Sequence, residues 1–233
     1  MISALIVAAG QGIRMGPNTD KLFLIVAGRP IIAHTWQRFE EADCIDEIIL
    51  VVREGMQKAF VDLSVRFHFQ KKFCIVPGGI KRQESVWNGL QALSAESEIV
   101  AIHDGARPCP SEKLIETTIQ AAREMGAAVA AQPVTDTIKE SADGEFISAH
   151  LERQRLWSVQ TPQTFRVEII RRALLEVRRK KIIVTDDTAA CELIRQPVKL
   201  ISSAAPNPKV TVPEDLPYIE MLLKKHRTSN ANP

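Results

Sequence analysis

Apolar positions in this chain follow two different periods. Short, almost unbroken apolar runs occupy Ile2–Ala8, Glu47–Val52, Phe73–Val76, Ile99–Asp104 and Ala127–Val134. A strand covered on both faces of a sheet reads this way, because neither side needs to be polar. Between these runs the apolar residues recur at helical spacing. Pro30 opens one such segment, through Glu41, with Ile31, Ile32, Trp36 and Phe39 along it. Residues 82–94 place Val86, Leu90 and Leu93 on one side of a second helix. Ser111 suits the cap of a third, with Glu112 in its first turn. Strands alternating with helices predict an α/β fold: a mostly parallel, twisted sheet with helices on both faces. Sheets of this kind bind ligands beyond the carboxyl ends of their strands. The loops after Ala8, Val76 and His103 are therefore where chemistry is expected.

The alternation breaks between 135 and 160. There the pattern predicts a β-hairpin turning at Asp143-Gly144, an arm inserted into an otherwise regular domain. Helical spacing resumes at about 166–179 and 187–195, and a last helix starts after Pro213 with Glu214 and Asp215 in its first turn. No linker-like stretch divides the chain. The expected organisation is one domain over 1–226, with 135–160 as its arm and a disordered tail over 227–233.

Composition narrows the options only slightly. The chain has 233 residues and a net charge of +2, which argues neither for nor against nucleic acid as a bulk partner. Arg178–Lys181 form a basic run at a helix end, where cations favour the dipole, and it reads as a solvated terminus. The cysteines are Cys44, Cys74, Cys109 and Cys191, with no metal-ligand spacing among them, as reduced thiols would be. The apolar N-terminal run is short and passes straight into glycines, so neither a signal peptide nor a membrane span is expected. A cytoplasmic enzyme fits these features.

The sharpest local signal is AAGQGIRMG, Ala8–Gly16, followed five residues later by Lys21. Glycines after a buried strand let backbone N–H groups approach phosphate oxygens, and Arg14 and Lys21 add fixed positive charge. No G-K-[ST] follows, and the third glycine of the dinucleotide fingerprint is missing, so neither a Walker loop nor a Rossmann dehydrogenase is indicated. Further along, Gly78 and Gly79 precede a helix bearing Ser85 near its start. Those residues suit contact with a base or ribose, and they equally describe a plain turn with Ser85 near the helix cap. Asp104 ends a buried strand, and beside a triphosphate its carboxylate calls for a cation such as Mg²⁺. A turn in which Arg107 simply pairs with Asp104 also satisfies the motif. His103, one residue earlier, should face the other way and be structural.

Taken in order, the motifs AAGQGIRMG, PGGIKRQESVWNGL, VAIHDGARP, PVTDTIK, LERQRLWSVQTPQTF, VTDDT and NPKVTVPEDL resemble a known family. The chain is similar to GT-A-like nucleotidyltransferases and, more closely, to the 2-C-methyl-D-erythritol 4-phosphate cytidylyltransferases, along nearly its whole length. The resemblance implies CTP and a sugar-alcohol phosphate as substrates and Mg²⁺ as cofactor. It also implies a homodimer through the arm, with no membrane or nucleic-acid partner. It makes Arg14, Lys21 and Lys209 the catalytic cations. Ala8, Ala9, Gly10, Gly12, Gly78, Gly79 and Ser85 become the CTP contacts. Asp104 becomes the metal ligand, and Asp104, Arg107, Thr137, Arg153, Thr161 and Thr185 the acceptor contacts. Thr137 and Arg153 would come from a partner's arm; without the resemblance Arg153 reads as a solvated surface residue.

Three positions depart from the family pattern. Asp20 stands where a proline is usual and brings a negative charge beside Lys21, Leu22 replaces a glutamine, and Ile80 replaces a residue that is often acidic. The nearest competing acceptor is ribitol 5-phosphate, and the competing class is a non-catalytic nucleotide-binding module. The expected mechanism is in-line attack of the acceptor phosphate on the α-phosphorus of CTP, without a covalent intermediate.

Overall fold

The fold is given by a computed structural model that describes residues 1–10 and 20–230, with side chains through Lys225. Gly12 and Arg14, both expected in the phosphate loop, lie outside the described residues.

The apolar runs form the middle of the sheet. β1 (Ile2–Ala8), β4 (Glu47–Val52) and β6 (Ile99–Asp104) are almost wholly buried, as strands covered on both faces must be. Successive side chains of β4 go to opposite layers: Ile48, Leu50 and Val52 join one core, Ile49 and Val51 the other. Two short strands, β2 (Ile25–Val26) and β3 (Arg29–Pro30), pair as a ribbon before α1 (Ile31–Glu41). With α1, α2 (Gln57–Phe67) and α4 (Glu112–Met125) lie on the first layer; α3 (Arg82–Gln91), α5 (Val167–Lys180) and α6 (Asp187–Glu192) lie on the second. Helices on both faces of one sheet are thus as expected. β5 (Lys72–Pro77) corrects one expectation. It is not a buried strand but the sheet edge, with Cys74 exposed.

The full sheet has seven strands in the order β11-β7-β10-β6-β1-β4-β5, where β7 is Ala127–Pro133, β10 Trp157–Arg166 and β11 Lys199–Ser202. All neighbours are parallel except β10, which runs antiparallel to both β7 and β6. β10 was not visible in the apolar pattern, because its buried Thr161, Gln163 and Thr164 are polar and Pro162 interrupts it. The chain accommodates that proline with a register shift between Val159 and Gln163.

The hairpin expected at 135–160 is correspondingly shorter. β8 (Lys139–Glu140) and β9 (Ala149–His150) pair around Asp143-Gly144, whose turn is held by Asp143 Oδ1 accepting from Glu145 and Phe146 N–H, both at 2.9 Å. From Trp157 onward the residues assigned to the arm belong to the central sheet, paired with β7. The last helix, α7 (Leu216–Asn230), also runs further than expected, into the stretch read as a tail. Neither glycine nor proline interrupts positions 218–230, so nothing in that backbone stops the helix. Residues 231–233 lie outside the described residues.

Candidate active site

A cleft of about 180 Å³ opens at the carboxyl ends of β1 and β6 and beside the start of α3. Ala8, Ala9 and Gly10 supply one wall, Gly79 to Arg82 with Ser85 a second, and Asp104 to Ala106 a third, while Lys21 and Lys209 complete the lining. Among the described residues the lining carries four cations, Lys21, Lys81, Arg82 and Lys209, and one carboxylate, Asp104. Four cations against one carboxylate make this a site for an anion.

The turn before α3 is built tightly. Gly78 donates its N–H to Val52 O at 2.7 Å, and a Cβ on Gly78 would collide with the Ala9 side chain and come within 2.9 Å of Ser85 Oγ. Ser85 Oγ accepts from Gly79 N–H at 3.0 Å, and Glu84 Oε2 accepts from Ile80 and Lys81 N–H at 3.0 and 3.2 Å. The amides of residues 79–81 are thus committed within the turn. Ser85 serves that turn as well as lining the cleft. Ile80 is almost wholly exposed at its rim.

Asp104 sits inside a ring of cations. Lys209 Nζ donates to Oδ2 at 2.7 Å, Arg82 Nε lies 3.5 Å from Oδ1, and Arg107 Nε lies 3.8 Å from Oδ2. Burial opposes ionisation, but Lys209, Arg82 and Arg107 outweigh it and hold the carboxyl well below the usual carboxylate range. Asp104 is therefore an anion at any ordinary pH.

Beneath Asp104 a relay of hydrogen bonds fixes its backbone. Asp104 N–H donates to Thr161 Oγ1 at 3.1 Å. His103 Nε2 faces Arg107 O at 2.9 Å, and since a carbonyl can only accept, that nitrogen carries the proton. Nδ1 then accepts from the Thr161 hydroxyl at 3.0 Å. Burial drives the His103 pKa down to about 4, so the ring is neutral. His103 is structural, as expected. Thr161, expected to touch the acceptor, spends its hydroxyl proton on His103 and does not line the cleft.

Of the other expected residues, Ala8, Ala9, Gly10, Lys21, Gly79, Ser85, Asp104 and Lys209 come together at the cleft, with Gly78 directly behind. Lys21 Nζ also donates to Val210 O at 3.0 Å, tying it to the segment that carries Lys209. Arg107 lies just under the cleft, its Nη1 donating to Asn207 O at 2.8 Å. Thr137, Arg153 and Thr185 are exposed and none of them lines the cleft; Arg153 Nη1 donates to Thr135 O within the hairpin at 2.8 Å. Asp20 turns its charge away from the cleft. One oxygen accepts from Leu22 N–H at 3.1 Å and the other pairs with Arg53 at 2.5 Å.

Arg82 was not anticipated. Its Nη1 holds Asp187 Oδ2 at 2.7 Å while its Nε faces Asp104. Burial lowers its pKa, but Asp187 and Asp104 more than reverse that. The one local hint is its place in the first turn of a helix, where a cation opposes the dipole, and that hint does not name the carboxylates it meets.

A seven-stranded, mostly parallel sheet with an anion cleft at its strand tips is an architecture that α/β nucleotidyltransferases share. The family model described as 2-C-methyl-D-erythritol 4-phosphate cytidylyltransferase matches residues 2–225, and the chain belongs to that family. A relative of that name from Alkaliphilus oremlandii is 45% identical over 229 residues, covering 97% of this chain and 96% of the relative. One from Pelotomaculum thermopropionicum is 42% identical, covering 96% of this chain and 94% of the relative. Among solved structures, the 4-diphosphocytidyl-2C-methyl-D-erythritol synthase of Anaerococcus prevotii superposes with a TM-score of 0.84 at 32% identity, each chain 96% covered. The Thermus thermophilus cytidylyltransferase reaches 0.78 at 32% identity, covering 95% of this chain and 98% of its own.

Proposed function

We propose that this chain transfers CMP from CTP to 2-C-methyl-D-erythritol 4-phosphate, forming 4-diphosphocytidyl-2-C-methyl-D-erythritol and pyrophosphate for isoprenoid precursor synthesis. The observation that carries the reading is the ring of Lys209, Arg82 and Arg107 around Asp104 at the floor of a cationic cleft. The acceptor phosphate is already an anion, so the reaction needs no strong base. It needs its charge neutralised and its partners held in line. His103, neutral and occupied on both ring nitrogens, is consistent with that. In this reading Lys21 and Lys209, which both line the cleft, neutralise the triphosphate and the charge that grows on the leaving pyrophosphate.

Among the described residues no cluster of three His, Cys, Asp or Glu side chains could hold a metal by itself. One ionised carboxylate at the cleft suits Mg²⁺, which keeps most of its waters and binds through one or two carboxylates plus substrate phosphates. Asp104 would hold it, and the ion would supply charge neutralisation at the phosphates. In this reading Thr137 and Arg153 reach a partner's acceptor site from the exposed hairpin, whose Phe146 and Ile147 are 73% and 68% exposed. The chain acts as a homodimer in the cytoplasm; no helix among the described residues is long and apolar enough to cross a membrane.

The test is pyrophosphate release with Mg²⁺ and each of CTP, UTP, ATP and GTP, against methylerythritol phosphate and ribitol 5-phosphate as acceptors. The expected result is turnover with CTP and methylerythritol phosphate alone. Turnover with ribitol 5-phosphate instead would reassign the acceptor, and no release with any pair would leave only a nucleotide-binding module.

A further inference from the structure

We propose that Arg82 contacts the phosphate chain of the bound nucleotide, and that Asp187, which does not reach the cleft, positions it for that contact. The proposal rests on the reading of the ligand as CTP.

Three independent observations converge on it. Arg82 lines the cleft beside the turn at 79–81, and with Lys209 it brackets Asp104, the one lining carboxylate among the described residues. Its side chain is 29% exposed and lines the cleft while it meets two carboxylates. A planar guanidinium fork matches phosphate oxygens better than any other side chain.

The second observation is the cost of Asp187. Its side chain is 1% exposed, one oxygen holds Arg82 Nη1 at 2.7 Å, and the other has no hydrogen-bond partner among the described residues. A buried carboxylate left half-satisfied is expensive, and an apolar residue of like size would serve packing better. The expense is understandable if the carboxylate's task is to hold Arg82 in one orientation.

The third is how firmly Asp187 is itself held. Its N–H donates to Gln163 Oε1 at 3.0 Å, Gln163 Nε2 donates to Asp186 Oδ2 at 3.0 Å, and Asp186 caps α6 through Ala189 N–H at 2.9 Å. The orientation of Arg82 is thereby referred back to β10, the same strand that fixes Asp104 through Thr161. The two groups bracketing the phosphate site share one rigid support, which is how a site keeps its geometry when the ligand arrives.

The experiment is isothermal titration of CTP and of cytidine, with Mg²⁺ and no acceptor, into the full chain and its Arg82→Gln, Arg82→Lys and Asp187→Asn variants. Cytidine lacks phosphate and reports the base and ribose contacts alone. Arg82→Gln and Asp187→Asn are expected to weaken CTP by about tenfold or more, as the loss of a charge-assisted bond does, while cytidine affinity stays within about twofold. Arg82→Lys keeps the charge without the fork and should fall between. Equal loss for CTP and cytidine would make Arg82 and Asp187 merely structural and overturn the proposal, as would unchanged CTP affinity in folded variants. If Asp187→Asn does not fold, the two Arg82 variants decide. Failure of the unsubstituted chain to bind CTP would remove the functional reading and this proposal together. CTP binding with an unchanged CTP-to-cytidine ratio in the variants would remove this proposal alone.

Discussion

His103 and Lys21 show how one residue's surroundings decide its use. In an unfolded chain a histidine titrates near ~6.5, whereas His103 in the fold titrates at about 4 because burial penalises its charged form. Between those values the unfolded chain binds a proton that the folded chain does not. The contribution of His103 is therefore complete above pH ~6.5 and is lost on acidification towards 4, by at most about 3 kcal/mol. Asp104, held low, keeps its contribution through this window and loses it only below the ordinary carboxylate range. The urea midpoint should accordingly fall between pH 7 and pH 4.5, and His103→Gln should flatten that fall while lowering the midpoint at pH 7. Lys21 is a cation at the cleft, tied through Val210 to the Lys209 segment. Lys21→Ala should cost at least about 100-fold in turnover if it stabilises the pentavalent phosphorus, as removal of one preorganised donor does elsewhere. A loss below threefold in a pyrophosphate assay would take it out of the mechanism.

At the scale of elements, legibility followed apolar content. β1, β4, β6 and β7 could be read because both of their faces are buried in hydrocarbon. α2 could not, because only Phe60, Leu63 and Ser64 are buried while Val61 and Val65 point outward, which leaves no clean stripe. β11 escaped as a short edge strand with Ile201 alone buried. β10 is the instructive case. Its buried polar residues are satisfied by partners far away in sequence, Thr161 by His103 and Thr164 by Thr118, and no local pattern encodes that. Asp104 and Lys209 were legible from ordered motifs. Arg82 with Asp187 was not, because their pairing spans 105 residues. The one apolar anchor of β10 in the second core is Phe165, fully buried among α5 and β6 residues. Phe165→Ala should destabilise the fold by about 3–5 kcal/mol, visible as a lower urea midpoint with an unchanged slope.

The whole molecule is two cores back to back with one cleft at the strand tips. The hairpin contributes to neither core, and Phe146 and Ile147 on it are largely exposed among the described residues. Light scattering should find twice the chain's 25.9 kDa. A Phe146→Ser, Ile147→Ser double variant should shift that mass towards the monomer with its circular dichroism unchanged. A monomeric mass for the unsubstituted chain would put Thr137 and Arg153 out of reach of any second site. The hairpin turn has a consequence of another kind. Asp143-Gly144 lies exposed near the middle of the chain, so a nick there parts Arg82, Asp104 and Arg107 on one fragment from Asp187 and Lys209 on the other. Neither piece can assemble the cation ring by itself. Turnover from two separately made pieces would therefore report that they have found each other.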